Sequence, residues 1–220
     1  MTIVAIVPAY NEAATVAAVV QTLVQSGAFS DVVVVDDGSA DMTSEIALAS
    51  GARVVRTDRN RGKGGAMLYA LGQVGGDYSH VAFFDADLLG LRVDHVARLI
   101  DGIRLGYDMV CGLRDKGIVQ NVLQLAFSPV ITGERILARW IIDALPKSCW
   151  SGYSIETAMN FVTKRDGGKT ALVFFDGVSI RTKVQKTGFI KGVAGHLRMA
   201  NEIGQTRQAL RASKGMVCRS

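Results

Sequence analysis

Acidic side chains follow three of the short apolar runs in the first ninety residues of the chain. Glu12 closes the segment after the first run, Asp36 and Asp37 follow the second, and Asp85 and Asp87 follow a later one. Carboxylates gathered in one place repel one another, and a divalent cation or a hydroxyl-rich ligand relieves that repulsion. Hard oxygen ligands suit Mg²⁺ or Mn²⁺, and substrate phosphates often complete such sites. A lone aspartate after a strand is usually a turn or cap residue, but three such segments together favour a site.

A basic, glycine-rich segment at residues 59–66 is the second candidate for chemistry. Its two arginines, one lysine and three glycines stand just before a helical pattern. Such a segment predicts a phosphate cradle at a helix N-terminus, or alternatively an ordinary solvated loop with a glycine turn. The segment is not a P-loop, because G-x-x-x-x-G-K-[ST] is absent. Residues 8–12 also lack G-x-G-x-x-G, which argues against a Rossmann dinucleotide site.

The elements that position these segments alternate along the first half of the chain. Apolar runs predict strands, and apolar residues at helical spacing predict helices between them. Such alternation indicates an α/β fold with one doubly wound, mostly parallel sheet and helices on both faces. Ligands bind such sheets outside the carboxyl ends of the strands, where the acidic segments fall. The predicted strands are 3–7, 32–35, 53–56, 81–84 and 108–112, and the predicted helices are 12–26, 41–50, 64–74 and 93–105.

The pattern beyond residue 115 is less regular. It predicts helices at 134–144, 154–164 and 195–212, with one strand pair or hairpin within 170–182. At a prior of about 150 residues per domain, a chain of this length suits a single domain. We therefore expect one domain over residues 1–220, with an irregular C-terminal third and no internal repeat.

Composition excludes several classes of protein. Hydrophobic residues make up 49% of the chain and charged residues 20%, which excludes a disordered chain. The three cysteines (Cys111, Cys149 and Cys218) share no metal-ligand spacing, so a reducing cytoplasm is the expected compartment. No basic segment precedes the first apolar run, as a signal peptide would require, and the longest uncharged run is too polar to span a bilayer.

The net charge of +5 is concentrated at one end of the chain. Residues 181–220 contain nine basic side chains and one acidic side chain, whereas residues 1–180 carry a small net negative charge. The predicted helix 195–212 is partly amphipathic. It would lie on an anionic membrane surface, face a polyanionic acceptor, or pack on the domain with its charges solvated.

The motifs together resemble those of the family 2 GT-A glycosyltransferases, in the branch of the dolichol-phosphate mannose and glucose synthases and the glucosyl-3-phosphoglycerate synthases. The resemblance covers residues 1–115 and continues more weakly through residues 133–135 and 152–156. It implies a GT-A fold with a nucleotide-sugar half (1–115) and an acceptor-side half (116–220). One departure argues against a polyprenyl-phosphate acceptor: Leu89 and Gly90 stand where the mannose synthases usually carry Gln and His. The matching segments are Pro8-Ala9-Tyr10-Asn11-Glu12, Asp36-Asp37-Gly38-Ser39, Arg61-Gly62-Lys63-Gly64 and Asp85-Ala86-Asp87-Leu88.

The resemblance also implies roles for single residues. Asp85 and Asp87 would hold Mg²⁺ or Mn²⁺, with His196 as a candidate third ligand or a structural histidine. Asp87 and Glu156 would be catalytic, Glu156 as the base that deprotonates the acceptor, or else as a capping glutamate. The implied donor-binding residues are Pro8, Tyr10, Glu12, Asp36, Asp37, Arg61, Lys63 and Asp85, and the implied acceptor-side residues are Glu134, Arg135 and Tyr153.

The expected activity is therefore a metal-dependent hexosyl transfer from a UDP- or GDP-sugar, with inversion. The acceptor stays open among a polyprenyl phosphate, a small phosphorylated molecule, a glycan and a modified nucleic acid. A homodimer and a peripheral membrane contact through the basic C-terminal helix are further expectations. Two alternatives remain: a sugar-nucleotide pyrophosphorylase, and a non-catalytic nucleotide-sugar-binding protein.

Overall fold

The computed structural model describes residues 1–114, 132–150 and 154–180, and the alternation predicted for the first half is confirmed. Tyr153, His196 and the basic C-terminal helix predicted at 195–212 lie outside the described residues. The strands are β1 (Ile3–Ala9), β2 (Asp31–Asp36), β3 (Arg53–Arg56), β4 (His80–Phe83), β5 (Leu88–Leu89), β6 (Met109–Arg114), β7 (Arg135–Ala138), β8 (Thr170–Phe175) and β9 (Ser179–Ile180). The helices are α1 (Val16–Gln25), α2 (Thr43–Ala49), α3 (Gly62–Gln73), α4 (Val93–Arg104), α5 (Arg139–Asp143) and α6 (Ser154–Arg165), with a short 3-10 turn at Lys147–Cys149.

Seven strands form the main sheet, in the order β3-β2-β1-β4-β7-β6-β8. All neighbouring pairs are parallel except those of β7, which runs antiparallel to both β4 and β6. The mostly parallel α/β sheet predicted from the sequence is therefore confirmed. Its parallel strands bring the carboxyl ends of β1, β2 and β4 to one edge, together with the segments that follow them.

Strand β7 corrects the helix predicted at 134–144. Only Arg139–Asp143 of that range is helical, whereas Arg135–Ala138 is a strand. Ile136 and Leu137 are both fully buried but belong to core clusters on opposite faces of the sheet. Their apolar neighbours fit a helical period equally well, so the local pattern alone was ambiguous. The segment forms a strand because it lies between β4 and β6, and its backbone is hydrogen-bonded to both of them.

The strand pair or hairpin predicted within 170–182 is wrong in its pairing: two strands are present, β8 and β9, but they do not pair with each other. Strand β8 joins the main sheet in parallel beside β6, and β9 instead pairs with β5 in a separate two-stranded sheet. This small sheet fixes the segment just beyond Asp87. A Cβ atom at Gly90 would lie 2.6 Å from the carbonyl oxygen of Gly177, and Gly90 has φ +78°, so the departure from the family pattern at this position has a steric reason.

The two faces of the sheet carry separate hydrophobic clusters. One cluster packs α1 and α4 against the sheet, with Val20 and Leu99 fully buried. The other packs α3, α5 and α6 against the opposite face, with Met67 and Met159 buried. The sheet is thus covered on both faces, which fixes α3 and α6 on the same side.

None of the helices that the structure describes is long and apolar enough to cross a membrane. Cys111 and Cys149 are buried free thiols, and Cys218 lies beyond the described residues.

Candidate functional site

Lys63 lies at the centre of a charged cluster at the carboxyl edge of the sheet. Its ammonium is 2.7 Å from Oδ1 of Asp85 and 2.8 Å from Oε1 of Glu156. The lysine comes from the first turn of α3, the aspartate from the segment after β4, and the glutamate from the first turn of α6. Lys63 and Asp85 are each 24% exposed, while Glu156 is almost fully buried. The structure therefore brings together three residues that the sequence assigned to one site.

Electrostatics within this cluster favour the charged forms of Lys63 and Asp85. Burial alone would lower the pKa of Lys63, but the carboxylates of Asp85 and Glu156 outweigh it and raise that pKa well above its usual range. Burial alone would raise the pKa of Asp85, but Lys63, with smaller contributions from Arg114 and Arg135, lowers it. Lys63 and Asp85 therefore form an ion pair at neutral pH.

Glu134 is a fully buried carboxyl group beside this cluster. Burial raises the pKa of its carboxyl, and the Asp85 charge raises it further. The Thr132 hydroxyl lies within hydrogen-bond distance of Oε2 of Glu134 and, at 2.7 Å, of the carbonyl oxygen of Gly112. Its bond to Glu134 and the charge of Arg114 lower the pKa of Glu134, but by less than burial and Asp85 raise it.

Three buried polar atoms around the cluster have no hydrogen-bond partner in the described structure. They are Nη1 of Arg114, Oε1 of Glu134 and Oε2 of Glu156. Buried polar atoms are nearly always paired, so a group of unpaired donors and acceptors marks a place where a polar ligand completes the bonding. The two carboxyl oxygens and Asp85 are also the hard oxygen donors that Mg²⁺ and Mn²⁺ prefer.

Gly133 is a site residue that the sequence did not single out for its size. A Cβ atom at this position would lie 2.4 Å from both carboxylate oxygens of Asp85. The backbone of the segment before β7 therefore forms the surface on which the Asp85 carboxylate rests. No local signal marks this contact, because the two residues are far apart in the chain.

The segment after β1 is held against the segment after β2. Asn11 adopts a left-handed φ of +56°, and its side-chain oxygen accepts the amide N–H of Ala40. The N–H of Asn11 donates to the hydroxyl oxygen of Ser39. Of the predicted donor-binding residues here, Tyr10 is exposed, Pro8 is half-buried, and Glu12 is buried and accepts a bond from Thr15.

Asp36 and Asp37 are both buried and bonded internally. Asp36 accepts the N–H of Ser39 and pairs with the guanidinium of Arg56. Asp37 accepts the amide N–H groups of Arg61 and Gly62 at the start of α3. These carboxylates fix the shape of the loops, and only contacts through their remaining lone pairs are open to a ligand.

The helix N-terminus predicted as a phosphate cradle is capped by Asp37. A helix N-terminus favours a negative charge, and here the carboxylate of Asp37 occupies the position that a phosphate would take. The Arg61 guanidinium pairs with Asp58 at the surface and lies 5.0 Å from the ring centre of Tyr69. Among the predicted cradle residues, Lys63 is the one whose charge points at the acidic cluster.

Asp87 is half-buried and lies between β4 and β5, two residues beyond Asp85. Arg135 is buried beneath the cluster, with 1% exposure.

A second cluster, formed by Asp94, His95 and Asp176, also places ligand atoms near one another. The Nδ1 atom of His95 accepts the backbone N–H of Arg92, so its proton lies on Nε2, which faces Asp176 at 3.4 Å. Both carboxylates are also paired with Arg92 and Arg98. Burial lowers the pKa of His95, which fits its neutral form. We assign this cluster a structural role, as a network of ion pairs between α4 and the turn after β8.

Comparison with known proteins places the chain among sugar-transferring enzymes. A family described as glycosyl transferase family 2 matches residues 4–139. An uncharacterized protein of Methanocaldococcus jannaschii is 46% identical over 128 residues, which is 53% of this chain and 49% of that protein. Glucosyl-3-phosphoglycerate synthase of Mycobacterium tuberculosis is 37% identical over 40% of this chain and 29% of the synthase. The chain thus spans half or less of the length of these two relatives.

Two other matches cover more of the chain. The glycosyltransferase AglJ of Haloferax volcanii is 30% identical over 187 residues, which is 76% of this chain and 59% of AglJ. The crystal structure of the M. tuberculosis synthase with phosphoglyceric acid superposes with a TM-score of 0.75 and 25% identity, covering 93% of this chain and 79% of the other. The same synthase with Mn²⁺ and uridine-diphosphate-glucose gives a TM-score of 0.68 and 28% identity, over 82% and 71% of the two chains.

Proposed function

Because the chain belongs to glycosyl transferase family 2, we propose that it is a hexosyltransferase that moves a sugar from a nucleotide diphosphate donor to an acceptor. The observation that carries this proposal is the bridge of Lys63 between Asp85 and Glu156. Three separate elements contribute these residues to the edge of the sheet where ligands bind in open α/β folds. The unpaired polar atoms beside the bridge supply further contacts for a polar substrate.

Asp85 and Asp87 are the residues that would hold a divalent cation. The fit rests on the oxygen-rich character of the cluster and on the unpaired carboxyl oxygens within it. When bound, the cation would neutralise the charge that develops on the departing diphosphate. Lys63 contributes a second, fixed positive charge at the same place.

Glu156 is the proposed base, in a reaction that proceeds with inversion. One of its oxygens is bonded to Lys63, which fixes the orientation of the carboxylate, and the other has no partner among the described residues. That free oxygen is suited to accept the proton of an acceptor hydroxyl. Glu134, Tyr153 and residues near them would contribute to the acceptor side.

The proposed donor and acceptor follow the structural neighbours. Crystal structures of the mycobacterial synthase contain uridine-diphosphate-glucose with Mn²⁺, and uridine diphosphate with glucosyl-3-phosphoglycerate. We take UDP-glucose as the first donor to test and a small phosphorylated acid as the first acceptor, ahead of a polyprenyl phosphate. A single domain over the whole chain, a cytoplasmic setting, a homodimer and a membrane contact through the basic C-terminal segment remain proposals.

A thermal-shift screen of UDP- and GDP-sugars with Mn²⁺ or Mg²⁺ tests the proposal. The correct donor with its metal raises the melting temperature, because a ligand that binds only the folded state stabilises it. The Asp87→Ala variant should lose both this metal-dependent shift and turnover, whereas the matched surface variant Asp77→Ala keeps them. Full activity of Asp87→Ala would contradict the assignment. Pyrophosphate release from a nucleoside triphosphate and a sugar phosphate would instead favour the pyrophosphorylase alternative.

A further inference from the structure

Arg135 is a buried cation directly beneath the candidate site. Its side chain is 1% exposed and is among the largest fully buried side chains of the described structure. It stands at the start of β7, where its backbone lies opposite Phe83 of β4 and Cys111 of β6. The arginine thus lies between the strands that lead into the site.

The guanidinium joins two segments that carry site residues. Nε and Nη2 donate to the carbonyl oxygen of Thr132, at 3.1 and 2.6 Å. Nη1 donates to the side-chain oxygen of Asn160 at 3.1 Å and lies 3.4 Å from the carbonyl oxygen of Glu156. One rigid, planar group therefore bridges the segment before β7 and the first two turns of α6.

The partners of this guanidinium are neutral. In the part of the chain that the structure describes, no carboxylate lies within ion-pair distance of Arg135, and Glu156 directs its carboxylate to Lys63 instead. Asp85 interacts with the charge of Arg135 from beyond ion-pair distance. Burying a charge without a directly paired opposite charge is costly, and an apolar side chain of similar volume would often stabilise a fold as well or better. Stability alone therefore does not explain an arginine here, whereas the fixed fork geometry of its donors suits the alignment of two backbone segments.

We propose that Arg135 is a positioning residue for the transfer reaction, an inference that rests on the proposed function of the same site. It holds the backbone carbonyls of Thr132 and Glu156 in a fixed relation. The Glu156 carboxylate then stays opposite Lys63, and Gly133 stays against Asp85. Arg135 thus acts through other residues, in place of the direct acceptor contact expected from the sequence.

The test compares Arg135→Gln and Arg135→Lys with Arg139→Gln, a matched loss of a half-buried arginine on the adjacent helix α5 whose guanidinium contacts Gly76, Tyr78 and Asp143. Donor turnover is measured well below the melting temperature of every variant and corrected for the folded fraction. We expect kcat of Arg135→Gln to fall by about 10- to 100-fold with the donor KM changed by less than about threefold, as for outer residues that orient a reactive group. Arg135→Lys should recover part of kcat, and Arg139→Gln should behave as the wild type.

A kcat loss that only follows the folded fraction, or a rise in KM with unchanged kcat, would overturn the positioning role. Amide hydrogen exchange in the same variants provides a readout that does not require turnover. Faster exchange in the first two turns of α6 but not in α4 supports the role, and unchanged exchange in α6 refutes it. If the wild type turns over no nucleotide sugar, the proposed function fails, and the exchange result still decides whether Arg135 positions α6.

Discussion

At the level of single residues, the candidate site depends on one lysine shared by two carboxylates. Lys63 neutralises Asp85 and Glu156, which would otherwise repel each other. The same contacts raise the pKa of Lys63, so the lysine keeps its charge at neutral pH. Function and local stability are therefore coupled at this residue.

Replacing Lys63 with methionine should reduce both the stability of the protein and its activity. The variant leaves the two carboxylates without their shared counter-ion, and breaking such a partly buried network costs on the order of 2–4 kcal/mol. We expect a lower melting temperature and a fall in donor turnover of about 100-fold or more. Thermal unfolding and steady-state kinetics measure the two effects. Lys169→Met, at an exposed position, is the control, and equal behaviour of the two variants would count against the bridge.

Gly133→Ala tests the contact between the segment before β7 and Asp85. The added Cβ atom would lie 2.4 Å from both carboxylate oxygens, so the carboxylate has to move. We expect weaker metal-dependent donor binding, by about tenfold, in a protein that still folds. Calorimetric titration with UDP and Mn²⁺ measures the change. Gly76→Ala is the matched control, because its Cβ atom would approach no closer than 3.8 Å to a flexible arginine; the same affinity in both variants would disprove the steric argument.

At the level of elements, the loops after β1, β2 and β3 are bonded to one another as well as to their own strands. Asp37, which follows β2, caps α3, and Asn11, which lies after β1, accepts the N–H of Ala40. A Cβ atom at Gly38, where φ is +77°, would lie 3.2 Å from the backbone of Arg59, so the second and third loops are also in close contact. The loops after β1, β2 and β3 therefore support one another at the carboxyl edge of the sheet.

Asp37→Ala should release the N-terminus of α3. Loss of a capping carboxylate typically costs about 0.5–2 kcal/mol, and the first amide groups of α3 would lose their acceptor. Urea unfolding should show that loss, and Asp37→Asn, which keeps an acceptor oxygen, should show less of it. Asp58→Ala removes a nearby exposed carboxylate as a control. A destabilisation by Asp58→Ala as large as that by Asp37→Ala would argue against the cap.

At the level of the whole molecule, the ion-pair network of α4 joins the far end of the chain to its first half. Arg92 and Arg98 each contact Asp94 on the helix and Asp176 in the turn after β8. Arg92, and then Arg98, lower the pKa of Asp176 far below its usual range, and Arg92 lowers the pKa of Asp94. The turn held in this way connects β8 of the main sheet to β9, which fixes the segment beyond Asp87.

The stabilisation by this network should depend on pH in one direction. A carboxyl group whose pKa is lower in the folded state stabilises fully above its unfolded pKa, about 3.9, and loses that contribution as the pH falls through the folded value. We therefore expect the difference in melting temperature between the wild type and Asp176→Asn to be constant above about pH 5 and to shrink below about pH 4. High salt should also reduce it, since the groups are exposed. A difference that grows on acidification would contradict this assignment.

Much of the fold could be predicted from local pattern. Two examples are the apolar run that ends at Asp36 and the helical spacing of Val16, Val20 and Leu23. Both are properties of neighbouring residues. They place β2 and α1 within a few residues of their observed bounds. The helix predicted at 12–26 begins later, at Val16, because residues 12–15 form turns that bring Glu12 to the loop edge. Ends of elements depend on such contacts more than their centres do.

The parts that were mispredicted depend on partners far along the chain. Arg135–Ala138 is a strand because it fills the position between β4 and β6 and is hydrogen-bonded to both. Strand β8 is an edge strand because it pairs with the other side of β6. Neither neighbour can be read from the segment itself. The cap that Asp37 places on α3 was missed for the same reason, since the carboxylate and the amide groups it binds belong to different loops.

The sequence by itself determined the α/β alternation, the family and the set of acidic and basic residues at the strand ends, because apolar periodicity and ordered motifs are local properties of the chain. Only the tertiary structure decided which charges meet: that Lys63 joins Asp85 to Glu156, that Gly133 supports Asp85, and that Arg135 is buried beneath them. The physical reason is that pairing, burial and pKa depend on distance in space. That distance is set by the packing of α3 and α6 on one face of the sheet and by the place of β7 within the sheet.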